Sequence, residues 1–257
     1  MPLPPVTITW IFLRGLTRGT GHWGLFVGLF EQSIPGSRVI ALDFPGNGQL
    51  NRLTSPMRVQ DMVAHCRAQL AALQIDPPYR LLAMSLGAMV AVDWAQRFPE
   101  EIAGSVLINT SLRPYSAFYQ RLRPRNYITL LKLVMPGASD EAWERAILQL
   151  TSRHEREAVL SHWIGLRREF PVTARNALSQ LIAAARFQAP HMRPLPPCLL
   201  LVSELDGLVS SACSASIAWH WQCDMRVHPS AGHDLPLDDG PWVIEQVQHW
   251  LARSGQR

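Results

Sequence analysis

Leu81-Leu82-Ala83-Met84-Ser85-Leu86-Gly87-Ala88-Met89 sets a serine at the junction of a continuous apolar run and a helical pattern. Leu81 to Met84 reads as a strand buried on both faces, and the helical pattern runs from Leu86 to Arg97 and stops before Pro99. A serine on so sharp a strand-to-helix turn has a strained backbone, and bulky residues two positions to either side would collide there. Ala83 and Gly87 are the small residues that the turn requires. The turn exposes the hydroxyl and aims the N-terminus of the following helix at it, which favours negative charge on a bound oxygen. Ser85 is therefore the candidate nucleophile.

On both sides of this turn, short apolar or β-branched runs alternate with longer helical patterns. Strands are expected at 8–13, 39–42, 80–84, 105–108, 198–203 and 225–227, and helices at 23–32, 58–73, 86–97, 212–221 and 242–251. That order predicts an α/β fold, a mostly parallel sheet flanked by helices. The stretch 112–197 breaks the alternation, with helical spacing only, at 128–135, 141–151, 156–168 and 174–187. We read 1–111 and 198–257 as the core, and 112–197 as a helical lid (cap) inserted over the C-terminal edge of the sheet, where α/β proteins place ligands.

A serine nucleophile needs a base, and the base needs an orienting acid. Leu199 to Ser203 leads into Glu204-Leu205-Asp206-Gly207, and Met225 to His228 leads into Ala231-Gly232-His233-Asp234. Each run places a candidate just past a strand, in the chain order Ser85, Asp206, His233. Glu204 lies nearer its strand end, so Asp206 is preferred as the acid. His228 stands at a strand end before Pro229, whereas His233 follows a flexible Ala-Gly turn and is preferred as the base.

These motifs resemble the α/β-hydrolase family, whose Ser, Asp and His follow the same order, and the resemblance covers nearly the whole chain. Arg14-Gly15-Leu16 looks like the family's His-Gly loop, with Arg14 in place of the usual histidine. Asp43-Phe44-Pro45-Gly46-Asn47-Gly48 looks like its D-x-P-G-x-G turn, with Asp43 as a structural acid. The resemblance implies an oxyanion hole made by the backbone N–H groups of Leu16 and Leu86. It also implies a serine carboxylesterase that forms an acyl-enzyme, takes a small-molecule ester and needs neither cofactor nor metal. Cofactor-free C–C bond hydrolases and lyases use the same triad and stay open as alternatives.

Composition narrows the classes further. With 257 residues, 47% hydrophobic and 17% charged, the chain suits a globular protein with a sizeable core. The apolar stretch 81–95 is broken by Ser85 and Asp93 and is too short for a membrane span. Met1-Pro2-Leu3-Pro4-Pro5 lacks the basic and apolar parts of a secretory signal. Cys66, Cys198, Cys213 and Cys223 show no CxxC spacing and read as reduced thiols, which fits a cytoplasmic protein. The net charge of +4 comes almost wholly from arginine, Lys132 being the only lysine, and such a bias is not a nucleic-acid signature.

Gly19-Thr20-Gly21-His22-Trp23-Gly24 imitates the dinucleotide fingerprint of an oxidoreductase, with Asp43 as its acid. However, Arg14 to Arg18 separate the first glycine from the strand, so a helix N-terminus would not meet the pyrophosphate. A non-catalytic binding protein would leave the serine, acid and base without a use.

Candidate substrate contacts are His22 and Trp23 at the pocket mouth, and Arg121 and Arg125 at the start of the lid. There Arg113, Arg121, Arg123 and Arg125 alternate with Tyr115, Phe118, Tyr119 and Tyr127. Guanidinium forks pair with carboxylate or phosphate, so an anionic ester or an acidic acyl carrier is expected to dock there. In plan the chain is similar to the pimeloyl-ester carboxylesterases of biotin synthesis, whose helical lid receives a carrier-bound ester.

Overall fold

A computed structural model of the chain describes residues 8–134, 139–154 and 156–253. Six strands, β1 (Ile8–Leu13), β2 (Ser37–Leu42), β3 (Tyr79–Met84), β4 (Ile102–Ile108), β5 (Cys198–Ser203) and β6 (Asp224–His228), form one sheet in the order β2-β1-β3-β4-β5-β6. Every neighbouring pair is parallel. Parallel neighbours need crossovers, and α1 (Phe26–Ser33), α2 (Val59–Ala72) and α3 (Leu86–Arg97) supply the first three. Between β4 and β5 come α4 (Phe118–Arg121), α5 (Tyr127–Val134), α6 (Asp140–Thr151), α7 (Arg156–Glu169) and α8 (Ala174–Arg186). The chain ends on α9 (Ser211–Trp221), α10 (Leu235–Asp238) and α11 (Gly240–Arg253), with β6 following α9. Among the described residues no helix is long and apolar enough to cross a membrane.

The sequence reading is corrected at several element ends. The helix expected at 23–32 begins at Phe26, because Trp23 closes a 3-10 turn that Gly24 leaves at φ 52°. β2 begins at Ser37, two residues before the apolar run. β4 begins at Ile102, because Ala103 and Gly104 carry too little apolar bulk to read as strand although the backbone pairs there with β3. The short α4 and α10 carry too few residues for a period to show. Met135, expected to end a helix, and Met1 to Pro5 lie outside the described residues.

Alternate strand residues face opposite sides of the sheet. Ile11, Leu13, Leu81, Ala83 and Leu200 pack with α2, α3 and α9, whereas Trp10, Phe12, Leu82, Met84 and Leu201 pack with α1 and α11. Helix α3 is buried from Leu86 to Ala95, which is why its sequence is almost wholly apolar. Each large side chain buried there contributes roughly 1.5–3 kcal/mol. From β1 the chain crosses to β2 on one side and then returns to β3 on the other, so the carboxyl ends of β1 and β3 flank a crevice at the switch point.

The 112–197 segment is fixed to the core by buried polar contacts. Gln180 of α8 accepts from Thr17 N at 2.8 Å and donates to Asn47 Oδ1 at 2.7 Å and Ser55 Oγ at 3.0 Å. Glu144 of α6 meets Arg18 at 2.7 Å, out of solvent. Side-chain caps start two of its helices, Ser139 on α6 and Thr173 on α8.

Candidate active site

Ser85 joins β3 to α3 with φ 54° and ψ −118°, a conformation that non-glycine residues rarely adopt. Its neighbours hold it there. Its N–H donates to Ile108 O at 3.0 Å, and its carbonyl accepts from Ala88 N at 3.1 Å. A Cβ on Gly87 would lie 2.5 Å from Leu13 O and 2.6 Å from Arg14 O, so only glycine lets α3 start against the end of β1. A Cβ on Gly15 would stand 3.1 Å from Ser85 Cβ. The Gly15-Leu16 loop is thus pressed against the serine.

Asp206 and His233 sit on the loops after β5 and β6. His233 Nδ1 lies 2.6 Å from Asp206 Oδ2, with both side chains buried. A carboxylate can only accept, so the ring proton is on Nδ1 and Nε2 carries the free lone pair. The other oxygen, Oδ1, accepts from Leu208 N at 2.7 Å and Val209 N at 2.9 Å, which fixes the carboxylate plane. Burial pulls the His233 pKa down, but the charge of Asp206 and its hydrogen bond, helped by Asp234, outweigh burial and the repulsion of Arg14, so it stands above the ordinary 6.5. His233 and Ser85 line one cavity of about 590 Å³, together with Gly15, Leu16 and Leu86.

The rivals are engaged elsewhere. Glu204 is exposed. His228 faces Asp239 at 3.1 Å, accepts from Ala231 N at 2.9 Å and stacks edge-on against Trp242, all on the sheet's flank. Among the described residues no three His, Cys, Asp or Glu side chains gather as metal ligands would.

The partners of Asn109 and Arg14 are visible only in the structure. Asn109, at φ 46° just past β4, donates to His233 O at 2.8 Å and Ser203 Oγ at 3.0 Å and accepts from Ser203 N at 2.8 Å. It thereby ties the His233 loop to β5. Arg14 pairs with Asp234, the residue after His233, through two hydrogen bonds of 3.0 and 2.6 Å. The arginine in place of a loop histidine, and an acid beside His233, were the available signals.

Residues 11–246 match the model of the alpha/beta hydrolase family. The chain belongs to that family. It is similar to the pimeloyl-[acyl-carrier protein] methyl ester esterase of Chromobacterium violaceum, at 25% identity over 228 residues, 88% of this chain and 78% of that protein. Its fold is similar to that of the enol-lactonase from Burkholderia xenovorans, with a TM-score of 0.78 and 16% identity over 96% of this chain and 92% of that one. A thermophilic esterase from Thermogutta terrifontis aligns with a TM-score of 0.73 and 18% identity, over 96% and 90%.

In this hydrolase the cavity separates the expected substrate contacts. Arg121 lines it, donating to Ala184 O at 2.6 Å, while its Nε is buried without an acceptor among the described residues. Burial lowers the Arg121 pKa, and the charge of Arg113 adds to that. Arg125 does not line the cavity; it donates to Gly207 O at 3.3 Å and borders a surface groove with Tyr119 and Arg123. His22 and Trp23 do not line it either. Trp23 is buried against Phe12 and Phe26. His22 turns its ring onto Trp163, and Arg18 Nη1 lies 3.0 Å from its Nε2. Arginine only donates, so Nε2 accepts; burial first, and then the charges of Arg18 and Arg14, keep this histidine neutral, its pKa well below 6.5. Of the glycines of the apparent dinucleotide fingerprint, Gly19 and Gly24 flank one 3-10 turn, Thr20–Trp23, and Gly21 lies within it; Asp43 is occupied by Thr20 N at 2.6 Å and Gln49 N at 2.9 Å.

Proposed function

We propose that this hydrolase cleaves carboxylic esters through an acyl-enzyme on Ser85, with His233 as general base and Asp206 as its orienting acid. The observation that carries the reading is the buried 2.6 Å contact of His233 Nδ1 with Asp206, on the wall of a cavity shared with the strained Ser85. His233 Nε2 takes the Ser85 proton as the oxygen attacks the ester carbonyl, and the N–H groups of Leu86 and Leu16 receive the oxyanion. The same nitrogen then protonates the leaving alcohol and activates water for deacylation. The 112–197 segment acts as the lid, with Phe118, Tyr127, Leu150 and Leu181 walling the cavity and excluding water.

Charge supports an anionic substrate. Of the arginines lining the cavity, Arg14 is paired with Asp234 and Arg18 with Glu144, whereas Arg113 and Arg121 donate to the carbonyls of Ala185 and Ala184 and meet no carboxylate among the described residues. A guanidinium with buried, unused donors gains from a carboxylate or phosphate. An ester bearing such a group away from the scissile bond fits. An ester carried on an acyl carrier protein, as named for the Chromobacterium violaceum protein, is a second form, an acidic carrier then meeting the exposed Arg125. Four unpaired cysteines suit a reducing compartment such as the cytoplasm.

A fluorophosphonate probe should label Ser85, and Ser85→Ala or His233→Ala should lower ester hydrolysis by several orders of magnitude. Unchanged turnover in Ser85→Ala would reject the triad. Arg113→Ala with Arg121→Ala should raise KM for a distal-carboxylate ester roughly tenfold, the order of one charge-assisted contact, and leave an equally long neutral ester unaffected. An equal response of both esters would reject the anion reading alone.

A further inference from the structure

At the N-terminal ends of β5 and β6, across the sheet from the cavity, two thiols stand side by side. Leu199 pairs with Asp224 in the parallel register, so one step back Cys198 is opposite Cys223. Neighbouring strands lie about 4.8 Å apart, within the roughly 4.4–6.8 Å Cα separation that a disulfide spans. Both side chains go to the same face: Cys198 and Leu200 belong to one core, and Cys223 and Met225 pack against that core. Neither thiol is in a disulfide. Cys198 is buried, whereas Cys223 is partly exposed, and both border an open cavity of about 490 Å³ with Arg193 at its rim.

We propose that Cys198 and Cys223 form a peroxide-responsive dithiol, in which Cys223 reacts with a hydroperoxide and Cys198 resolves the product to a disulfide. The roles follow from the asymmetry of the pair. Cys223 is partly exposed at the cavity, where a hydroperoxide can reach it, whereas Cys198 is buried behind it; the neighbouring Cys198 thiol and then the Arg193 cation draw the Cys223 thiol down against burial. Cys66 and Cys213 are raised chiefly by burial and offer no thiolate. The Cys223 thiolate attacks the outer peroxide oxygen, forming an S–O bond and breaking O–O; an alkoxide or hydroxide leaves and takes up a proton. Cys198 sulfur then attacks the Cys223 sulfenic acid, forming S–S and expelling hydroxide, which the Cys198 proton converts to water. The two thiols lose two electrons and the peroxide gains them.

The test uses the reduced protein, treated with a small molar excess of cumene hydroperoxide, then denatured, alkylated and mapped by mass spectrometry without reduction. The expected result is that two of the four thiols escape alkylation, in one Cys198–Cys223 linked peptide that dithiothreitol cleaves. In Cys198→Ser, Cys223 should accumulate as a dimedone-trapped sulfenic acid; in Cys223→Ser, Cys198 should stay fully alkylatable. Four alkylated thiols, a bridge between two chains, or Cys198 oxidised in Cys223→Ser at the parent's rate would each overturn the proposal. The parent's peptide map decides by itself if a serine variant fails to fold.

Discussion

Arg14 grips Asp234 with parallel hydrogen bonds, Nη1 to Oδ1 at 3.0 Å and Nη2 to Oδ2 at 2.6 Å, and neither side chain meets solvent. Arg14 follows β1 and opens the Gly15-Leu16 loop, and Asp234 follows His233 directly, so one ion pair ties the loop of the proposed oxyanion donor to the loop of the proposed base. A fork on a carboxylate fixes orientation as well as distance. Desolvation offsets much of its attraction, so its main effect is on position.

Breaking that pair from one side leaves a buried charge unmatched. Asp234→Asn or Arg14→Met should each destabilise the fold by about 3–5 kcal/mol in urea unfolding, and Arg14→Met with Asp234→Leu should recover much of the loss. A single-variant loss below about 1 kcal/mol would mean that water reaches the pair.

Because the His233 pKa is raised, kcat/KM should climb with pH and be centred above 6.5, the neutral ring being the proposed base. In Asp206→Asn the largest influence, burial, is opposed by less, so the weak residual activity should be centred at lower pH. The stability sign follows. A raised folded-state pKa contributes stability below the unfolded value, and that contribution is lost as pH rises through the folded value. Asp206→Asn should therefore cost more stability at pH 5.5 than at pH 9. A profile that moves upward in Asp206→Asn would contradict the assigned influences.

Asn109 is both donor and acceptor, and its amide faces two carbonyls, Gly232 O at 3.3 Å and His233 O at 2.8 Å. Asn109→Asp places a carboxylate against them. At pH 8 it should destabilise more than Asn109→Gly, which loses the hydrogen bonds but adopts the positive φ freely. Lowering the pH to 5 should narrow the gap, as a protonated carboxyl donates again. Thermal melts of both variants at the two pH values check this, and a gap independent of pH would place the Asp in water.

Two glycines should respond oppositely to alanine. In Gly87→Ala the new Cβ would meet backbone oxygens at 2.5 and 2.6 Å, so a loss of about 1–3 kcal/mol or more is expected, with ester hydrolysis falling as Ser85 shifts. Gly28 lies within α1, and a methyl added there would meet nothing within 4 Å, so Gly28→Ala should gain up to ~1 kcal/mol. Calorimetry on the two variants separates close approach from helix propensity.

The sequence by itself determined the order of strands and helices and the Ser85 turn, because both are local. A strand buried on both faces must be apolar throughout, and a strained serine between packed elements must have Ala83 and Gly87 beside it. The helices between β4 and β5 were legible for the same reason, from their spacing of apolar residues. What only the tertiary structure decided is which side chains meet. Arg14 and Asp234 are 220 residues apart in the chain, and Gln180 meets Thr17 and Asn47 across separations of 163 and 133 residues. No local period encodes such pairs, since the direction of a loop side chain is set by whatever other element arrives to desolvate it. His22 and Arg125 illustrate this: both carry suitable chemistry, but Trp163 and Arg18 draw the first away from the cavity and the Gly207 carbonyl draws the second, while Arg121, four residues before Arg125, faces into the cavity.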